Sequence, residues 1–283
     1  MSIYCFDTSA INELHDDPDR ESIVKGLLAT NRIYLTALNM IEACGTEDEN
    51  RRSSLIAFQK RLTGNYRPLA IPNELLQTLA VAHATRDTQP IITINKQQDG
   101  IWIALNAPSE VDEQARQEVF GWKSQLEASF TETHRKAREA FQDLFENGKS
   151  PRPRTASALI RHYGRNEDFL YEVVGPLYQR STGLELPRSS LRQFLSDVPP
   201  WLQYLLGWAH EVFRRGIRKM GYGAKKNPGA IDLWCAVYLC FCDFFVTHDH
   251  RQRRALRVLN VFNPRKTRII SFQDFRKRLL VGS

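Results

Sequence analysis

Four carboxylates stand where an apolar run gives way to a helix or a turn, and such junctions are where a chain can do chemistry at the edge of a sheet. Asp7 directly follows the apolar run Ile3 to Phe6, and Asp249 comes two residues after the run Phe244 to Thr247. Glu42 lies about two turns beyond Thr36, in the helix that Leu38 to Cys44 should form, and Asp232 falls in the first turn of the apolar stretch Ala230 to Cys242. Gathered on one edge, the four would repel one another unless protonated or paired with a cation. An oxygen-only set points to one or two hard cations, Mg²⁺ or Mn²⁺. Taken singly, each acid has a plainer reading. Asp7 could cap the helix starting near Thr8, Asp232 could oppose a helix dipole, Glu42 could be a solvated helix position and Asp249 a turn residue.

The elements around these acids decide between the two readings. Ile3 to Phe6 reads as a buried strand, a helix follows Pro18 through Ile23, Leu27 and Leu28, and Arg32 to Thr36 is a second strand. The helix from Leu38 to Cys44 ends at Gly45, completing a β-α-α-β-α opening of the kind that begins a parallel sheet. At the other end, Ala230 to Cys242 is a helix, Asp243 turns the chain, Phe244 to Thr247 is a strand, Arg251 to Leu259 a helix, Arg268 to Ser271 a last strand, and a helix through Phe275 and Leu279 closes the chain. From Asp232 the helix descends about 16 Å over roughly 11 residues, and a strand of about four residues climbs back some 13 Å. Asp249 therefore returns to the level of Asp232. The expected architecture is α/β, a three-layer domain with a central, mostly parallel sheet.

Residues 64–222 break this rhythm and read as a mainly helical insertion between the two parts of the sheet domain, 1–63 and 223–283. Ile91 to Asn95 and Ile101 to Leu105 could pair as a hairpin around Gln98-Asp99-Gly100, Ser109 could cap a helix over 110–147, and further helices are expected over 155–163, 167–180, 189–195 and 200–220. Trp201, Tyr204, Trp208 and Tyr222 could stack on unpaired bases, although Leu202, Leu205, Leu206 and Trp208 share one amphipathic segment and read as core.

Phe6-Asp7-Thr8-Ser9-Ala10, Thr36 through Glu42, Gly229-Ala230-Ile231-Asp232 and Phe245-Val246-Thr247-His248-Asp249 resemble the successive motifs of the PIN-like metal-dependent nucleases. The 17 residues from Asp232 to Asp249 are similar to that family's usual gap. The likeness covers 1–62 and 223–283. It implies that Asp7, Glu42, Asp232 and Asp249 bind Mg²⁺ or Mn²⁺, that the Thr247 hydroxyl helps to order the site, and that the activity is an endoribonuclease. Ions held there would activate water for in-line attack on a phosphodiester and stabilise the leaving 3′ oxygen. Asp249 is either a ligand or a holder of the ligands. The resemblance also brings in a small antitoxin-like inhibitor and a homodimer as partners. Its departure from the pattern is the missing phenylalanine soon after the last acid, where Arg251-Gln252-Arg253-Arg254 stands instead.

Charge bears on the partner. Residues 1–150 carry 16 Lys+Arg against 22 Asp+Glu and residues 151–283 carry 23 against 10, so halves of −6 and +13 make up the net +7. Arg214, Arg215, Arg218 and Lys219 form like-charged i, i+4 pairs on one helix, an arrangement a phosphate backbone would neutralise. Lys225 and Lys226 precede the Asp232 helix, and Arg251, Arg253 and Arg254 follow Asp249. These nine residues are the expected nucleic-acid contacts, with RNA as the partner. His248 and His250 flank Asp249 and read as exposed loop residues more readily than as proton carriers. Two other classes compete with the nuclease: a binding module that keeps the fold without cleaving, and a phosphatase acting on a small molecule.

The five cysteines show no zinc-type spacing and sit in apolar runs, which suggests free thiols in a reducing, cytoplasmic setting. The longest apolar run, Leu233 to Cys242, is far short of the roughly 20 residues a spanning helix needs, so no membrane partner is expected.

Overall fold

The computed structural model describes residues 1–94, 99–146, 153–217 and 230–281. Strand β1 (Ile3–Phe6) is followed by helices α1 (Thr8–Asp16) and α2 (Arg20–Thr30), strand β2 (Arg32–Tyr34) and helices α3 (Ala37–Cys44) and α4 (Glu49–Thr63). The middle is helical: α5 (Pro72–Thr85), α6 (Asp99–Asn106), α7 (Glu113–Glu146), α8 (Ala156–Tyr163), α9 (Glu167–Thr182), α10 (Leu191–Asp197) and α11 (Pro199–Glu211), the last running into a π-helical segment, Val212–Ile217. Then come α12 (Ala230–Trp234), a 3₁₀ stretch (Cys235–Phe241), β3 (Phe244–Thr247), α13 (His250–Leu259), β4 (Arg268–Ser271) and α14 (Phe272–Val281).

The four strands form one all-parallel sheet in the order β2-β1-β3-β4. Because side chains alternate across a strand, register decides which face each residue serves. Tyr4, Phe6, Ile33, Phe244 and Val246 pack on one side with α1, α2 and α14, whereas Cys5, Phe245 and Ile269 join the other side with Leu256 of α13 and Val237. Both faces are buried, which is why these strands read as unbroken apolar runs rather than alternating ones. Asp243 fastens the amino ends: the Ile3 N–H donates to its carboxylate at 2.8 Å, Arg265 donates to the same side chain at 2.8 Å, and its backbone bonds both Ile3 and Arg268. These donors, the Ile3 amide foremost, hold the Asp243 carboxyl below its usual range.

The helical middle shares a core with the sheet. Leu75 and Leu76 of α5, Leu159 of α8, Val174 of α9, Phe194 of α10 and Leu205 of α11 belong to the same apolar cluster as Cys5 and Phe245. The sheet also extends past residue 63, through a parallel bridge from Thr36 to Leu69 and an antiparallel one from Leu69 to Thr93. Three local expectations need correction. Ile101 to Leu105 is not a hairpin strand but part of α6, whose Ile101, Trp102 and Leu105 pack on α3 and α4, while Ile91 to Ile94 pairs with the chain around Leu69 instead. Residues 95–98, the expected turn, lie outside the described residues. Asp112 rather than Ser109 caps α7, accepting from the Ala115 N–H at 2.9 Å. The apolar helix keeps α geometry only to Trp234 and then tightens to 3₁₀. Trp201 is buried in the core and not open to stacking, Trp208, expected in the core, is half-buried like Tyr204, and Tyr222 lies outside the described residues. All five cysteines are free, and no described helix is long and apolar enough to cross a membrane.

Helix α11 approaches α12 closely at Gly207, where an added Cβ would stand 3.2 Å from the Leu233 carbonyl oxygen, one residue beyond Asp232. Replacement by valine, Gly207→Val, is expected to destabilise the protein by about 1–3 kcal/mol through overpacking against backbone that has little room to move. The effect is read as a lower urea midpoint at unchanged slope. An unchanged midpoint would mean that α12 is free to shift and that Gly207 does not fix its place.

Candidate functional site

The strand order reverses between β1 and β3, because the chain leaves β1 for β2 on one side and returns to β3 on the other. Such a switch point opens a crevice at the carboxyl ends of the strands. Asp7 and Thr247 occupy the two lips, held together by the Asp7 N–H donating to Val246 O at 3.0 Å. Asp7 caps α1 as its position suggested, accepting from the Ala10 N–H at 2.8 Å, but its carboxylate also accepts from the hydroxyls of Ser9 and Thr247, each at 2.8 Å. The side chain is 7% exposed. Burial pushes the Asp7 carboxyl up to about 7 against the pull of hydrogen bonds from Ala10, Thr247 and Ser9, and the charge of Asp232 raises it further.

Thr247 explains why the carboxyl is so placed. Its hydroxyl is fully buried and lies 2.8 Å from Asp7 Oδ2 and 2.8 Å from Gln252 Oε1, while accepting from the Asp249 N–H at 3.0 Å. The Gln252 amide is oriented by its Nε2, which donates to the Asp232 carbonyl at 3.2 Å. A hydroxyl has one proton, so it serves either Asp7 or Gln252; when it goes to Gln252, Asp7 keeps the Ser9 hydroxyl and the Ala10 N–H as neutral donors. A proton on Asp7, or a cation at its free lone pairs, would offset the burial of its charge.

The other predicted acids are distributed around this pair. Asp249 caps α13, its Oδ1 accepting from the N–H groups of Arg251 and Gln252 at 2.6 and 3.1 Å. Glu42 sits on α3 and meets Lys123 of α7 at 3.8 Å, both about one-third exposed. Asp7, Asp232 and Glu42 all act electrostatically on the Cys235 thiol, which burial and these charges push well above its ordinary range. The three acids thus lie within electrostatic reach of one buried thiol. Among the described residues, however, no three His, Cys, Asp or Glu side chains stand close enough to hold a metal ion as a group. The structure brings Asp7, Thr247 and the Asp232 segment together and does not gather all four acids into one ligand set. Two carboxylates nevertheless fit Mg²⁺, which keeps several waters and commonly takes only one or two from the protein.

Three positioning residues escaped sequence reasoning. Asn39, one turn before Glu42, accepts from Thr36 at 2.8 Å and donates to Phe6 O at 3.2 Å, tying α3 to the end of β1. The Thr-x-x-Asn spacing of a reciprocal helix cap was its signal. Gln252 stands among the arginines after Asp249 and looks like a surface residue, yet it is 2% exposed. Lys123 carries no local signal, because its meeting with Glu42 depends on where α7 crosses α3.

The basic residues separate into two groups. Arg214, Arg253 and Arg254 line hollows beside α13, where the exposed His250 joins them, and Arg251 is half-buried at the helix start. The other predicted contacts, Arg218, Lys219, Lys225 and Lys226, lie outside the described residues, as does the Arg215 side chain. His248 is exposed and stands 3.7 Å from Glu13.

Because the folded value of Asp7 lies above that of an unfolded carboxyl, the native protein keeps a proton that the unfolded chain has released between about pH 4 and pH 7. Stability of the metal-free protein should therefore fall as pH rises through that window, by on the order of 4 kcal/mol. In Asp7→Asn an amide N–H can donate to Thr247, so melting in EDTA at pH 8 is expected at a higher temperature than wild type, with a flatter pH profile. A variant less stable than wild type at pH 8 would show that the ionised carboxylate is well satisfied. No protein-family model, curated protein or solved structure matches this chain, and the geometry of its own site is the ground on which a function can be assigned.

Proposed function

We propose that this protein is a divalent-metal-dependent nuclease of the PIN-like type that hydrolyses phosphodiester bonds, with RNA as its preferred substrate. The observation that carries the reading is the buried Asp7 at the β1/β3 switch point, its carboxyl raised by desolvation, bonded to Thr247 and within electrostatic reach of Asp232. Asp7 and Asp232 would hold Mg²⁺ or Mn²⁺, as one or two ions, with Glu42 facing the same edge and Asp249 stiffening it through the cap of α13. The bound ion would activate a water and stabilise charge on the leaving oxygen. Thr247 fixes the orientation of the Asp7 carboxylate and, through Gln252, couples it to the backbone of Asp232. Burial strengthens this arrangement, because an unpaired carboxylate in a dry crevice is costly and a cation there relieves it. Neither an antitoxin-like inhibitor nor a homodimer is needed for the chemistry; both belong to the resemblance.

A second reading, a non-cleaving module that binds nucleic acid or protein, draws on the pairing of Glu42 with Lys123 and on the missing three-ligand group among the described residues. Cleavage of end-labelled single-stranded RNA and DNA in Mg²⁺, Mn²⁺ or EDTA separates the two, beside a doubly substituted Asp7→Asn, Asp232→Asn control. The nuclease is expected to cut RNA with either metal and to lose at least a hundredfold in rate in EDTA or in the control. Mg²⁺ should also raise the melting temperature of the wild type and leave that of the control unchanged. Binding without cleavage under every metal condition would make the non-cleaving module the better account.

A further inference from the structure

Two adjoining hollows, of about 510 and 470 Å³, run beside α13 and share Ser157, Arg254 and Val258 in their walls. The first lies between α8 and α13 and is rimmed by Arg161, His250, Arg253, Arg254 and Arg257. The second continues past Arg254 to Arg154 and Arg214, against the first turn of α8, whose partial positive charge also favours anions. Among the described residues, no carboxylate lines either one. The floor of the first is apolar, made by Ile160, Val258, Val261 and Phe262, and Val261 is 62% exposed, unusual for a large apolar residue beside so many cations. Arg257 is tied to the fold through the Ile269 carbonyl, and Arg253 helps hold the Asp274 carboxyl in its charged form. Arg161 and Arg254 are exposed on facing helices.

Guanidinium groups ringing an apolar floor fit a ligand that combines phosphates with flat apolar faces, which is a single-stranded nucleic acid rather than a bare phosphate or an acidic peptide. Location supports this choice. Arg253, Arg254 and Arg257 recur at helical spacing along α13, whose N-cap is Asp249, so these cations lie about 6 to 12 Å along the axis from the acid edge. We infer that the hollows between α8 and α13 are a binding track for a single strand, its phosphates on the arginines and its bases on the apolar floor, flanking the bond to be cut. The position of the cut rests on the nuclease reading above; the binding itself does not.

The test is equilibrium binding of a fluorescent 20-nucleotide single strand in EDTA over a series of salt concentrations, to wild type, to Arg161→Gln/Arg254→Gln and to Asp7→Asn. An abasic strand of the same length and polyglutamate serve as competitors. The arginine variant is expected to bind at least tenfold more weakly and to lose about 1.4 from the salt slope, the share of two phosphate contacts on a single strand. Asp7→Asn should bind as well as wild type, and the abasic strand and polyglutamate should compete progressively less well. Unchanged affinity in a folded arginine variant, or polyglutamate competing as well as the strand, would overturn the track. A wild type that binds through these arginines yet never cleaves would overturn only the nuclease, and one that cleaves while the arginine variant binds normally would overturn only the track.

Discussion

The parallel pairing of β1 with β3 is the constraint on which the rest depends. It joins residues some 240 positions apart, Tyr4 with Phe244 through Phe6 with Val246, and it is bonded at both ends. At the amino end Asp243 receives the Ile3 amide; at the carboxyl end Asp7 receives the Thr247 hydroxyl. Everything from β2 to β3, including the ten described helices α3 to α12, must be accommodated before the chain returns to pair with β1. Loop-closure cost grows only slowly with length, so a long excursion is tolerable provided that it folds on its own terms and returns to the correct strand. The buried aromatic pair Tyr4 and Phe244, stacked with centroids 4.8 Å apart, enforces that return, since a slip of one residue would turn each ring to the opposite face.

The same carboxylates serve the fold and the site. Asp7 and Asp249 are both helix caps, which the plain reading of each predicted, yet capping uses only some of their lone pairs. What distinguishes Asp7 is that its hydrogen-bond donors among the described residues are neutral. They are hydroxyls and a backbone amide, with another acid within electrostatic reach, so they offset the desolvation of its negative charge only in part. Asp243, bonded to Arg265, shows the opposite case within the same sheet and stays easily ionised. The two ends of β1 thus differ in kind: one carboxylate is paired with an arginine, and the other is met, among the described residues, by neutral donors.

How much of this was legible follows from how local each signal is. The strands, the cap at Asp7 and the shared edge of Asp7 and Asp249 could be read because apolar runs and parallel order leave few arrangements. Asp232 and Asp249 were placed at one edge by helix and strand rise alone. The structure agrees that their segments meet, although the contact is made by Gln252, whose burial depends on the register of α13 and not on its polar composition. Lys123 was invisible because α7 has 34 residues and nothing in its periodicity fixes which turn lies over Glu42. Ile101 to Leu105 was misread because a short apolar run has no period long enough to separate strand from helix, and packing against α3 and α4 decided it. Arg161 gave no signal, since its meeting with Arg254 and Arg257 of α13 depends on two helices far apart in sequence coming to lie side by side.

Sharing one core couples the helical middle to the acid edge. Helix α11 packs at Gly207 against the backbone beside Asp232, α8 packs on α11, and Phe130 of α7 meets Trp234 of α12 with ring centroids 5.1 Å apart. An interior packed at crystal density transmits displacement rather than absorbing it. A shift of α8 or α7 would therefore be felt at α12, and with it at Asp232. The helices that wall the cationic hollows are the same ones that set the position of an acid at the switch point, so occupancy of the hollows and the geometry of the acids are not independent variables.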